Sequence, residues 1–266
     1  MSNHLQLTRE GPLAILTLCR GERRNALNGP LWTALKEAAF QLADDLPGVL
    51  IITGSDGHFC SGMDLSGDNP IIQRLVPALH AKDATSISEL LVELKSVFSS
   101  YSRLRCPVIA AIEGACVGGG MELALACDLR VATTDAIFSL PETRWGMIPD
   151  VGGTVRLVRL IGRSRATDII LSGRRLSAQE AFSNGIVNRL TTPGTALDSA
   201  RELAKSILRC GPQATLQALL ALRQVPFLSD DEAFSLETDA GTRAICSGEV
   251  AEGIQAFLEK RQPNWD

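Results

Sequence analysis

The sequence predicts an α/β fold in the mixed α+β sense: successive strand-strand-helix turns that lead into a helical C-terminal region. Three observations predict it. Apolar strand cores centred near residues 15, 51 and 109 alternate with stretches of helical periodicity. Two of these strands run directly into glycine-bearing turns, Gly54 to Leu65 and Gly114 to Glu122. From about Gly152 the pattern becomes almost wholly helical. With 266 residues, 45% of them hydrophobic, the chain can bury one large core. The expected division is a core over 1–195 and a helical region over 196–266, joined without a linker.

The elements follow in order. His4 to Thr8 and Leu13 to Leu18 flank Glu10-Gly11 and read as a hairpin. Pro30 opens a helix to about Leu46, with Leu31, Leu35, Ala38, Ala39 and Leu42 on one face and Asn28 as its cap. Val49 to Thr53 is a buried strand closed by Gly54. The cycle repeats with a helix from Ser86 to Tyr101, a strand from Pro107 to Ile112, and a helix beginning near Gly119. Strands are expected at Leu129 to Ala132 and Ala136 to Leu140. Helices are expected over 152–161, 165–171, 178–184, 197–208, 212–222 and 231–257, interrupted at Gly185 to Asn188. Ser66 to Asp83, which contains Gly67-Asp-Asn-Pro70, is the least defined segment.

Charge and composition exclude several functions. The 26 basic and 30 acidic residues give a net charge of -4, so the chain lacks the concentrated positive surface that a nucleic acid or a polybasic membrane contact needs. No apolar run reaches the ~18 residues of a membrane span, and the N-terminus has no signal-peptide pattern. The cytoplasm is the expected location. The seven cysteines are odd in number, dispersed and set mostly in apolar runs, as reduced core thiols are. No CxxC or HxxxH spacing suggests a metal.

The chemistry concentrates around the glycine turns. Turns at the C-terminal ends of parallel strands, each leading to a helix start, aim free amides into one crevice. A pair of such amides polarises a carbonyl and holds the oxyanion that forms when it enolises; tight-turn packing is the alternative use of the same glycines. Glu122 lies between apolar runs, so its carboxyl belongs in or beside the core, where an unpaired acid is costly. Glu142 follows a strand and a proline. Asp150 precedes Gly152-Gly153 and an apolar helix, and capping of that helix is the simplest use for it.

Arg24-Asn-Ala-Leu-Asn28, Phe59-Cys-Ser-Gly-Met-Asp-Leu65, Gly114 to Asp128, Pro141 to Thr154 and the tail Phe257-Leu-Glu-Lys-Arg261 together resemble the crotonase superfamily, the enoyl-CoA hydratase/isomerase family. The match runs in order over nearly the whole chain. The resemblance implies a crotonase-like spiral of strand-strand-helix turns. It assigns the oxyanion hole to the amides of Met63 and Gly119, beside Gly118, and the proton transfers to Glu122 and Glu142. Arg24, Ala26, Leu27 and the segment Ser61, Gly62, Asp64, Leu65 and Ser66 fall where the family binds coenzyme A, and Arg20 to Arg24 is the stretch that could meet its phosphates. Phe257 and Lys260 match tail positions that reach the CoA of a neighbouring subunit. The implied substrate is an acyl-CoA thioester, with no cofactor other than the CoA it carries, and the implied assembly is a homo-oligomer, a trimer or dimer of trimers. The two glutamates point to hydration of a trans-2-enoyl thioester. Asp150 departs from the glycine of many hydratases and keeps double-bond isomerisation open as an alternative; a catalytically silent acyl-CoA-binding protein is a third.

Overall fold

The computed structural model describes residues 3–265. Its main sheet begins with the antiparallel hairpin β1 (Leu5–Glu10) and β2 (Leu13–Leu18), and continues in parallel through β3 (Val49–Gly54), β4 (Val108–Ile112), β6 (Leu129–Thr133) and β9 (Arg189–Thr191). A second layer holds β5 (Ala115–Val117), β7 (Ile137–Ser139) and β8 (Leu176–Ser177). Two isolated parallel bridges, Cys60 with Cys116 and Leu27 with Met63, continue this layer across the turns. Each turn of the chain thus contributes a long strand, a short stretch in the second layer and a helix. This is the expected strand-strand-helix spiral.

The central strands are buried on both faces and are correspondingly apolar throughout, β4 (Val108-Ile-Ala-Ala-Ile112) being fully buried. One face packs against α1 (Gly29–Asp44), α3 (Ala84–Ser102) and α4 (Gly119–Ala126), with Leu35, Leu42, Phe98, Tyr101 and Leu123 at its centre. On the other, Ile15, Ile51, Ile109 and Val131 meet Ala196, Ala200, Leu203 and Ala204 of α8 (Ala196–Leu208). Small residues along α8 allow the close approach, so the first helix of the C-terminal region covers the main sheet. Asn28 caps α1 as expected, its side chain accepting from the Leu31 amide at 3.0 Å.

Three expectations need correction. The undefined segment contains α2 (Pro70–Ala81), started by Asn69 as cap and Pro70 as first residue. The single helix over 231–257 is two, α10 (Asp230–Cys246) and α11 (Glu249–Glu259), separated at Gly248, whose φ of 90° a helix cannot continue through. The short strands β5, β8 and β9 went unread, being two or three residues long. The remaining helices are α5 (Gly153–Ile161), α6 (Arg163–Ser172), α7 (Ala178–Ser183) and α9 (Pro212–Gln224). Arg223 ties α9 to the core through two hydrogen bonds to Asp128, at 2.7 and 2.6 Å.

Candidate active site

The site forms where the segment after β3 runs beside β5 and the start of α4. Cys60 donates to the Ala115 carbonyl at 2.8 Å and accepts from the Val117 amide at 3.0 Å, which lays residues 59–63 alongside the second layer. The next bridge turns Met63 outward. Leu27 donates to the Gly62 carbonyl at 2.8 Å and accepts from the Asp64 amide at 3.0 Å, so the peptide groups flanking Met63 are engaged while its own amide has no acceptor among the described residues. Gly119, the first residue of α4, likewise has an unengaged amide, as the first turn of a helix must. The two lie side by side: a Cβ built on Gly119 would stand 4.0 Å from the Met63 nitrogen. Gly120 permits this approach, since any Cβ there would overlap the Cys60 carbonyl.

Asn69 secures the loop behind Met63. Only 2% exposed, it donates to the Asp64 carbonyl at 2.6 Å and to the Met63 sulfur at 3.8 Å, and accepts from the amides of Gly29 at 3.0 Å and Ile71 at 3.1 Å. Sequence reasoning missed it because its neighbours Gly67-Asp-Asn-Pro70 read as a loop. The Asn-Pro pair was the available signal, marking a helix start.

Three carboxyls gather at the other end of the site. Glu122, in the first turn of α4, is 2% exposed, and its Oε1 accepts from the amides of Val151 at 2.9 Å and Gly153 at 2.8 Å. Gly153 is required here, because a Cβ would stand 2.9 Å from that oxygen. The other oxygen, Oε2, accepts no hydrogen bond from the described residues. Glu142, in a 3-10 turn over Glu142–Trp145, packs beside Gly118; its Oε2 is buried with no partner among the described residues. Burial pushes the Glu122 carboxyl up to about 8, with the charges of Glu142 and Asp150 adding to the shift and the amides of Gly153 and Val151 opposing it. Burial likewise raises Glu142 to about 7, with Asp150 contributing. The protons of such a cluster belong to the group, not to single residues. The two amide donors lower Glu122 without bringing it below Glu142, which stands at about 7 against about 8, so one proton is shared across the pair; the donors favour the ionised form of Glu122 when that proton sits on Glu142, whose buried Oε2 has no partner among the described residues.

Asp150 is not the helix cap that its position suggests. The N-cap of α5 is Gly152, without a side-chain hydrogen bond; the carboxyl that closes this helix start is that of Glu122. Burial raises Asp150 above the ordinary aspartate range against the opposing charge of Lys95, and its field reaches both glutamates.

Around the amides lie the residues matched to CoA binding. Ser61 donates from its backbone to the Arg24 carbonyl at 3.0 Å, and Ala26 and Leu27 are buried beneath this contact. The carboxylate of Asp64 is taken up internally, by Arg20 at 3.0 Å and by the Ser66 amide and hydroxyl at 3.1 and 2.5 Å. Burial alone would raise Asp64, but these bonds outweigh it and hold the carboxyl below its usual range. Arg20 is itself only 8% exposed and also donates to the Ala26 carbonyl, so it is a brace of the loop rather than a surface cation. Arg24 and Leu65 remain exposed. Phe257 is 81% exposed on α11, where it lines a groove with Ile254, Ile245 and Trp265, and Lys260 ends that helix. The tail packs on α9 and α10, away from the paired amides in sequence and in its contacts.

Comparison with known proteins decides the lineage. The family profile for enoyl-CoA hydratase/isomerase matches residues 8–266. The chain belongs to the enoyl-CoA hydratase/isomerase family of the crotonase superfamily. It is 35% identical to an enoyl-CoA hydratase of Mycobacterium tuberculosis over 97% of this chain and 94% of that one. It is equally identical to a carnitinyl-CoA dehydratase of Salmonella arizonae, over 100% and 99%. A crystal structure of an enoyl-CoA hydratase from Bacillus anthracis superimposes with a TM-score of 0.88 at 31% identity, covering 98% of both chains. Membership of this acyl-CoA-processing family makes the protein an enzyme of the hydratase kind acting on a CoA thioester.

Proposed function

We propose that the protein adds water across the double bond of a trans-2-enoyl-CoA thioester. The observation that carries this reading is the juxtaposition of two unengaged amides, Met63 and Gly119, with a buried glutamate, Glu122, and a half-buried one, Glu142, each keeping one oxygen without a partner among the described residues. The thioester oxygen accepts from the two amides, which polarises the conjugated double bond. A water held by Glu122 Oε2 attacks Cβ and gives its proton to that carboxylate. Charge moves onto the thioester oxygen as an enolate, and loss of one hole donor would cost about 3 kcal/mol of barrier. Glu142, protonated, then delivers a proton to Cα. Hydroxyl and hydrogen are added, the acids exchange one proton between them, and no electrons leave the system. Hydratase and dehydratase name the two directions of this addition.

CoA would lie along Arg24, Ala26, Leu27 and Ser61 to Ser66, and Phe257 and Lys260 would close over the CoA of a neighbouring subunit. Exposed apolar side chains on α10 and α11, among them Phe234 at 67%, Leu258 at 73% and Phe257 at 81%, support a homo-oligomer. Among the described residues no helix is long and apolar enough to cross a membrane. Purified protein is expected to hydrate crotonyl-CoA or a longer enoyl-CoA; absence of turnover at every chain length would sink the reading.

One observation favours a second reading. Asp150, freed from capping and within electrostatic reach of both glutamates, could pass a proton along a conjugated chain, as an enoyl- or dienoyl-CoA isomerase requires. Product analysis with 3-enoyl and 3,5-dienoyl thioesters separates the two, and an Asp150→Asn variant with full isomerase activity would remove Asp150 from that chemistry.

A further inference from the structure

The turn that grips Glu122 is itself gripped from behind. Val151 donates its amide to Glu122 Oε1 at 2.9 Å, and the carbonyl of the same residue accepts from Arg156 Nη1 at 3.1 Å. The second arm of the guanidinium, Nη2, donates to Ser99 Oγ on α3 at 3.1 Å. Arg156 therefore joins three elements: α5, on which it sits, the Val151–Gly153 turn, and α3. It packs so closely on this turn that a Cβ at Gly152 would collide with its guanidinium. A half-buried arginine is costly unless its donors are used and its charge is answered. Here the two acceptors, one carbonyl and one hydroxyl, are neutral, and among the described residues no carboxylate forms an ion pair with it. Burial pulls the guanidinium below its usual range, and the first charge opposing that shift is Glu122.

The groups facing this pair are few. Glu122 meets Glu142 and Asp150, both raising it; Lys95, from α3, acts on Asp150; Arg156 meets Glu122 and Cys127. Burial pushes the Cys127 thiol up to about 12, so it carries no charge at neutral pH. Arg156 is thus the cation that faces Glu122 from α5, as Lys95 faces Asp150 from α3.

We propose that Arg156 is the positioning residue for Glu122: its guanidinium fixes the Val151 carbonyl while the amide of that same residue holds the Glu122 carboxylate, and its charge faces that carboxylate. The proposal rests on the reading of Glu122 as the proton acceptor. Arg156 touches neither substrate nor water; it acts through the turn.

The test follows folding stability against pH for the wild type, Arg156→Gln, Glu122→Gln and the double variant, beside pH–rate profiles with crotonyl-CoA. The difference between each protein and its Glu122→Gln counterpart isolates the titration of Glu122. In the Arg156→Gln background that titration is expected about one pH unit higher, because an opposing positive charge is gone. The kcat is expected to fall about tenfold or more with KM held within about twofold. Arg156→Lys should restore the midpoint but only part of kcat, since an ammonium cannot hold both acceptors in the planar fork. Coincident titrations in the two backgrounds, with activity lost only as the melting temperature falls, would overturn the proposal. A wild type that fails to turn over any enoyl-CoA defeats the hydratase reading instead, while the stability titration still decides the role of Arg156. Should Arg156→Gln not fold, Ser99→Ala releases one arm and keeps the charge: a fall in kcat of about threefold with an unshifted midpoint supports the proposal, and an unchanged kcat overturns it.

Discussion

The two ends of the site are built from different materials. The proposed hole is backbone: the amides of Met63 and Gly119 are aimed by a parallel bridge on one side and a helix start on the other, and no side chain has to be held in a rotamer. The acid end is side chain: Glu122, Glu142 and Asp150 depend on a turn at Val151–Gly153, on burial and on each other's charge. A backbone device is stiff and insensitive to pH. A carboxyl cluster is tunable and pH-sensitive, and its buried charges cost stability. The two ends should therefore fail in different ways.

The largest effect is expected at the acids. Glu122→Gln and Glu142→Gln should each lower kcat/KM by about a thousandfold, and the double variant little further, because the two acids serve one proton transfer sequence. Steady-state hydration of crotonyl-CoA measures this; strictly additive losses would show that the glutamates act independently. The hole is broken through packing. In Gly120→Ala the added methyl meets the Cys60 carbonyl and must push α4 away from Met63, with an expected loss of about a hundredfold in kcat and an unshifted pH profile. A shifted profile would show that the two ends are not separable.

The same contrast explains what could be read from the sequence. The glycines Gly118 to Gly120 and the buried acid Glu122 were legible because their cues are local: glycines after an apolar strand, then an acid one turn into a helix; Met63 carried no such cue and was singled out only by the family resemblance. The strand-strand-helix order was legible for the same reason. The grip on Glu122 was not, since Val151 and Gly153 lie 29 and 31 residues further along the chain and contribute amides, which every residue has. Capping by Asp150 was a sound local inference that lost to this long-range competitor, for Glu122 occupies the helix start first. α2 was hidden by Gly67-Asp-Asn before it and by Pro77 within it, both of which read as breakers.

Buried charge at the acid end carries a stability cost whose sign can be worked out. Burial and the neighbouring acids push the Glu122 carboxyl up to about 8, from 4.5 for an ordinary glutamate. The folded state thus binds this proton more tightly than the unfolded chain does; the contribution is fully present below about 4.5 and is lost as the pH rises through about 8. Glutamine keeps an oxygen for the Val151 and Gly153 amides and never ionises. Glu122→Gln should therefore be inactive yet more stable than wild type at pH 8.5, by an amount on the order of a few kcal/mol, with little difference at pH 5. Thermal melts at the two pH values check this, and an equal shift at both would place the effect in packing instead of charge.

The smallest expected effect belongs to Asp150. In the hydratase reading it neither touches the reacting atoms nor caps α5, and its influence is the negative charge that raises both glutamates. Asp150→Asn removes that charge at constant size. The acid limb of the hydration profile, set by loss of the Glu122 carboxylate, should then move to lower pH by a few tenths of a unit, with kcat at its plateau changed by less than about threefold. The direction is diagnostic, because removing a like charge lowers a carboxyl's pKa whereas removing a cation raises it, and Arg156→Gln should move the same limb the other way. If Asp150→Asn instead abolishes turnover with the pH profile unmoved, Asp150 is a proton carrier in its own right, and the isomerase reading gains what the hydratase reading loses.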